Sequence, residues 1–262
     1  MQLEFLGTGT SYGVPQIGCK CEVCCSEDKR DHRLRCSIWI SDEFQSLIID
    51  TGPDFRTQCL RSKIQHLDAV FYTHFHADHI FGVDDIRQFN SLQKSKIPIY
   101  LPEFMIDRFR LVFDYTLEEA KPGLNRPQLK IQPVNEFPIQ LKDLTITPVD
   151  VYHGKERITG YIIFYHGIKI SYLVDCKFLP QKTIEMVKGS DVVILSALWK
   201  AAKSHPGHLN LEEAIALAST LEGKTTFLTH ITHGMGKYTE TQKILPKNIN
   251  LAYDGLKLEW AK

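Results

Sequence analysis

The sequence has no excess of either charge: 31 Lys and Arg stand against 31 Asp and Glu. A neutral chain lacks the cation surplus that releases counterions from a phosphate backbone, so non-specific nucleic-acid binding loses its simplest physical basis. No apolar run approaches the roughly 18–20 residues of a membrane span. The first nine residues contain neither a basic stretch nor a long apolar one, which is the pattern of a cytoplasmic protein without membrane attachment. Low-complexity tracts, short-period repeats and an internal linker are absent too. With 43% apolar and 24% charged residues, the 262-residue chain has the composition of a folded domain that buries its core without covalent staples.

What is present is a supply of soft ligands, 11 His and 7 Cys. Three of the cysteines form Cys19-x-Cys21-x2-Cys24, with Cys25 adjacent. That spacing suits a metal better than paired disulfides. Three thiolates leave a closed tetrahedral zinc site one donor short, and Cys25 is one candidate for it.

Hydrophobic patterning predicts strands at 3–6, 37–40, 46–49, 69–72, 97–101, 144–148, 161–165, 169–174, 192–195 and 225–228, and a closing hairpin of 251–252 with 257–259 about Asp254-Gly255. Helices are expected at 55–62, 103–116, 180–187 and 211–221. Strand-rich halves interspersed with helices suggest two sheets with helices outside, an αββα sandwich. We read 1–262 as one domain, with a zinc-binding loop at 18–25 and a lid or insertion at 103–138, richest in Pro and polar residues over 121–138.

The chemistry concentrates at strand ends. His74-x-His76-x-Asp78-His79 puts four metal-ligand side chains within six residues, just past a predicted strand. Imidazole and carboxylate suit Zn, Mn or Fe, and two such ions can share a bridging hydroxide. His153, Asp175 and His230 also follow apolar runs. Taken singly, each would more often be structural.

The His74 motif resembles the hallmark of the metallo-β-lactamase superfamily. The rest of the chain is similar to the branch that contains the phosphoribosyl cyclic phosphodiesterase of phosphonate degradation: Gly7-Thr8-Gly9-Thr10-Ser11, the cysteine cluster, Asp50-Thr51-Gly52, His153-Gly154, Asp175, His208 and Thr229-His230-x2-His233. The resemblance implies that His74, His76 and His153 hold one ion, that Asp78, His79 and His230 hold a second, and that Asp175 bridges them. It implies His233 as the fourth ligand of a structural zinc with Cys19, Cys21 and Cys24. It implies His208 as general acid/base, His205 being the weaker candidate, with Asp78 as a further catalytic residue. Asp50 is expected to orient ligands by hydrogen bonds without binding metal itself.

The function these features imply is hydrolysis of a small, cyclic-ribose-like phosphate ester by a bridging hydroxide. A tRNA 3′-processing endonuclease, a carboxylic ester, lactone or thioester hydrolase, and a non-enzymatic metal sensor are the alternatives. Arg56 and Arg87 either clamp a phosphate or pair with Asp54, Asp84 and Asp85, and the second reading is preferred. A homodimer would be unsurprising.

Overall fold

Apolar runs become strands, and polar residues gather where those strands stop. The computed structural model describes residues 1–118 and 125–260. In chain order its strands are β1 (Gln2–Gly7), β2 (Ser37–Ser41), β3 (Ser46–Ile49), β4 (Ala69–Phe71), β5 (Ile97–Pro102), β6 (Leu129–Val134), β7 (Ile139–Leu141), β8 (Leu144–His153), β9 (Glu156–Tyr165), β10 (Ile168–Leu173), β11 (Val192–Ser196), β12 (Thr225–Thr229), β13 (Ile249–Leu251) and β14 (Lys257–Glu259). The helices are α1 (Phe55–Ser62), α2 (Ala77–Ile80), α3 (Arg87–Gln93), α4 (Glu103–Val112), α5 (Gln181–Val187), α6 (Leu211–Leu221) and α7 (Tyr238–Ile244). Among the described residues, no helix is long and apolar enough to cross a membrane.

The chain divides into two compact units. The first comprises Met1–Gly7, Arg35–Asn135 and Gly255–Lys262. Its sheet has the order β14-β1-β2-β3-β4-β5-β6, antiparallel from β14 to β3 and parallel from β3 to β6. Parallel neighbours require crossovers, and α1 and α4 lie in two of them. Their apolar faces bury Phe55, Met105 and Phe109 with Val70, Ile99 and Leu101 of the sheet. Each such side chain stabilises the fold by about 1.5–3 kcal/mol on transfer from water.

The second unit comprises Thr8–Leu34 and Glu136–Asp254. Its sheet runs β13-β12-β11-β10-β9-β8-β7, parallel from β13 to β10 and antiparallel beyond. β8 and β9 form a long hairpin whose register runs to His153 opposite Glu156. Helix α6 starts at a capping box in which Asn210 and Glu213 satisfy each other's backbone amides, and it ends at Glu222 in the left-handed conformation.

Three expectations need amendment. The last turn does not join a hairpin, because β13 pairs with β12 while β14 pairs with β1. Asp254 accepts from Thr8 Oγ1 (2.7 Å) and from the Leu34 amide (2.8 Å), so the turn is tied into other segments rather than folded back on itself. Within the segment read as an insertion, 129–134 is strand β6, paired parallel with β5 along six residues, whereas 119–124 lie outside the described residues. The helix expected over 103–116 stops at Val112, and a short 3-10 turn covers Asp114–Thr116.

Candidate functional site

In the first unit, β4 ends at Phe71 and delivers the His74 loop, and α2 carries Asp78 and His79. The His74 ring lies 4.5 Å from His76 and 4.3 Å from His79, centroid to centroid. His79 Nε2 is 3.4 Å from Asp78 Oδ2. Two ligand atoms on one tetrahedral ion of zinc-like bond length stand about 3.4 Å apart, so this spacing fits a shared metal.

Asp50 organises these ligands from beneath. It is fully buried at the end of β3 and accepts from the Thr73 amide (2.9 Å), Thr73 Oγ1 (2.9 Å) and His79 Nδ1 (2.7 Å). Because the Thr73 hydroxyl gives its one proton to Asp50, its contact with His74 Nδ1 (2.9 Å) has the histidine as donor. Both His74 and His79 are therefore held in the tautomer whose Nε2 offers a lone pair, as a neutral metal ligand requires. Gly52 permits the close packing above Asp50: a Cβ there would collide with the carbonyl of Asp78.

The second unit carries a matching set. His153, the last residue of β8, donates from Nδ1 to the carbonyl of Gly207 at 2.7 Å, which again presents Nε2. His230 Nε2 lies 3.0 Å from Asp175 Oδ1, and both side chains are almost wholly buried. The His208 ring stands 4.4 Å from His153 and is stacked 5.0 Å from His230. His153, Asp175 and His208 each place one ligand-type atom within 4.8 Å of the others. Burial is the main force on His208 and drives its pKa down to about 2; Asp175 opposes this, and His230 and His153 add to it. The ring is thus neutral at physiological pH.

Asp50, Asp175 and His230 share a backbone feature that spacing alone does not reveal. All three have positive φ, 65°, 55° and 55°, each one or two residues past a strand end. Non-glycine residues enter this left-handed region at a cost of about 1–2 kcal/mol, and such strain collects at functional sites.

The cysteine cluster lies within the second unit. Cys19, Cys21 and Cys24 place their Sγ atoms 3.3, 3.4 and 3.4 Å from His233 Nδ1. The sulfur-to-nitrogen edge of a tetrahedral zinc site is about 3.5 Å, so this Cys3His donor set fits that metal. Cys25 is exposed and outside the group. The Cys24 amide, 3.4 Å from Cys21 Sγ, is the main influence lowering the Cys21 thiol to about 6, while burial raises Cys24 to about 11.

Of the two arginines, Arg87 makes the ion pair expected of it. Arg87 pairs with Asp84 and also donates to its carbonyl. Asp54 is engaged by Arg35 at 3.1 Å, and Arg56 acts electrostatically on Asp85. Thr73 and Gly207 escaped the sequence reading, although each neighbours a motif histidine. Cys176 is buried in the apolar core of its unit, where burial raises its thiol pKa.

Comparison with known proteins places these residues in a family. A β-lactamase superfamily domain model matches residues 45–231. A protein of Porphyromonas gingivalis named octanoyltransferase is 36% identical over 98% of this chain, which spans about half (51%) of that relative's length. A ribonuclease Z of Lachnoclostridium phytofermentans is 23% identical, over 80% of this chain and 89% of its own. The crystal structure of a diphosphatase from the PhnP family superposes with a TM-score of 0.89 at 39% identity, covering 99% of this chain and 96% of the other. These matches show that the chain belongs to the metallo-β-lactamase superfamily, with the α/β sandwich fold that its sequence suggested.

Proposed function

We propose that the protein is a metal-dependent phosphodiesterase acting on a small phosphate ester or diphosphate, with cyclic ribose phosphates the first substrates to try. The observation that carries this reading is the hydrogen bond at Nδ1 of each of His74, His79 and His153, to Thr73, Asp50 and Gly207, which makes Nε2 the ligand atom of all three rings. In this reading His74, His76 and His153 would hold one ion and Asp78, His79 and His230 a second, with Asp175 available to both. Zn, Mn and Fe all suit such donors. When bound, two divalent ions supply Lewis acidity toward phosphoryl oxygens and a water made acidic enough to attack.

The chain's own residues do the rest. Asp50 and Thr73 fix the His74 and His79 rings, and Gly207 fixes His153. His208 begins neutral, so it can accept the proton that the attacking water loses and then give that same proton to the leaving alkoxide, the phosphate anion favouring the charged ring electrostatically in between. Asp78 is assigned a catalytic role alongside His208 in addition to its ligand role. Cys19, Cys21, Cys24 and His233 would hold a structural zinc apart from the chemistry. Similarity to a PhnP-family diphosphatase supports the phosphorus substrate.

A second reading, hydrolysis of an acyl ester or thioester, draws on the relative named octanoyltransferase, although this chain matches only half of it. The deciding experiment is turnover by the Zn- or Mn-loaded protein on bis(p-nitrophenyl) phosphate, cyclic ribose phosphates, a nucleoside diphosphate, precursor tRNA, a lactone and an acyl thioester. The proposal expects turnover of the small phosphorus substrates. Activity confined to the lactone or thioester would replace it with the acyl reading, and activity confined to precursor tRNA with the nuclease.

A further inference from the structure

The loop bearing His208 is tied down at a point away from the metal ligands. Lys177 Nζ donates to Ser204 Oγ and to both carboxylate oxygens of Glu213, all at 2.9 Å. Ser204 Oγ donates in turn to Glu213 Oε1 at 2.7 Å. Glu213 is itself immobilised by the start of α6: its amide donates to Asn210 Oδ1 (2.9 Å), and its Oε2 accepts the Asn210 amide (3.0 Å). One carboxylate therefore holds both ends of the segment 204–210, within which lie His205, Gly207 and His208.

Lys177 is anchored on the opposite side. It sits two residues beyond Asp175, and its amide donates to the Tyr152 carbonyl, next to His153, at 2.7 Å. The Leu209 amide donates to the Cys176 carbonyl at 3.2 Å. Lys177 thus links, through its amide and its ammonium together, the strand ends that carry His153 and Asp175 to the loop that carries His208. An ion pair as exposed as this one (23% and 32%) adds little to global stability, so its effect is local.

We propose that Lys177, through Ser204 and Glu213, is a positioning residue that sets the His208 ring for proton transfer; the proposal rests on the acid/base role given to His208 above. Proton transfer requires heavy atoms within hydrogen-bond reach, and that requirement makes turnover sensitive to small displacements of the loop. A leaving group that is already a stable anion escapes the requirement.

The test compares Lys177→Met, Lys177→Arg and His208→Ala on two diesters. Bis(p-nitrophenyl) phosphate expels a stable phenolate, whereas a ribonucleoside 2′,3′-cyclic phosphate expels an alkoxide that must be protonated. Lys177→Met is expected to lower kcat on the cyclic phosphate by about 20-fold or more, and on the aryl diester by less than about threefold, with KM and metal content retained. His208→Ala should show the same bias more strongly, and Lys177→Arg should restore most of the loss. Equal losses on both substrates, or no loss on either, would overturn the positioning role. If His208→Ala shows no bias, the acid role fails and this inference falls with it. A readout independent of turnover is the His208 ring signal in nitrogen-edited NMR. It should move in Lys177→Met and stay in place when the remote Lys188–Glu222 pair is broken by Lys188→Met. An unmoved His208 signal in Lys177→Met overturns the proposal even if no substrate is turned over.

Discussion

His79 Nδ1 donates to Asp50 Oδ2 across 2.7 Å, and neither side chain has any solvent exposure. Three donors converge on this carboxylate: the Thr73 amide, the Thr73 hydroxyl and the His79 ring. Asn at position 50 keeps one accepting oxygen and presents an NH2 where an acceptor is required. Asp50→Asn is therefore expected to weaken metal binding roughly 10–100-fold while leaving the far-UV circular dichroism spectrum intact. Competition with a chromogenic chelator measures it, and an unchanged affinity would remove Asp50 from the ligand scaffold.

Gly207 offers a steric test of the second ligand set. A Cβ on this residue would stand 2.8 Å from His153 Cε1 and 3.1 Å from its Nδ1, closer than packed carbon atoms tolerate. Gly207→Ala is expected to displace the His153 ring, costing about 1–3 kcal/mol in stability and roughly 10–100-fold in kcat/KM. Retention of full turnover would show that the loop can retreat.

Metal analysis separates the cysteine cluster from the hydrolytic centre. Cys21→Ser should contain roughly one zinc fewer per chain than the parent, and Cys25→Ser the same amount, since Cys25 stands outside the Cys3His group. Equal zinc in the parent and the Cys21→Ser protein would refute the structural site.

Arg87 is expected not to bind substrate, because its guanidinium is engaged by Asp84. Arg87→Met should change KM by less than about twofold and lower stability by about 1 kcal/mol or less, the usual scale for a surface ion pair. A tenfold rise in KM on a phosphate diester would restore its place in the substrate site.

The legible part of this protein was whatever a short stretch of chain determines. Phe55–Ser62 and Leu211–Leu221 match their expected helices because such patterning is a local signal, and the second also begins at its own capping box. The Cys19-x-Cys21-x2-Cys24 run is equally local. Long-range partners left no such trace: nothing near Lys257 indicates that Lys257–Glu259 pairs with β1, and nothing near Gly207 indicates that its carbonyl orients His153, 54 residues away. Strand β8 continues through Pro148 to His153, longer than expected, because tertiary pairing with β9 outweighs the local breaking tendency of proline. Asp84 is among the partners the sequence offers Arg87, and the two stand three residues apart. Asp54 and Arg35 lie 19 apart, and their pairing was not foreseen.

The left-handed backbone at Asp175 and His230 bears on how this protein can be altered. Glycine adopts that conformation without steric penalty, so on backbone grounds alone each position would be better occupied by the smallest residue. With the ligand roles proposed for Asp175 and His230, heat resistance and turnover are expected to pull in opposite directions at the same two sites. A library sorted only for thermal survival would be drawn toward glycine there and would accumulate durable but inert variants, so stabilisation campaigns on this scaffold need to select for both properties from the first round.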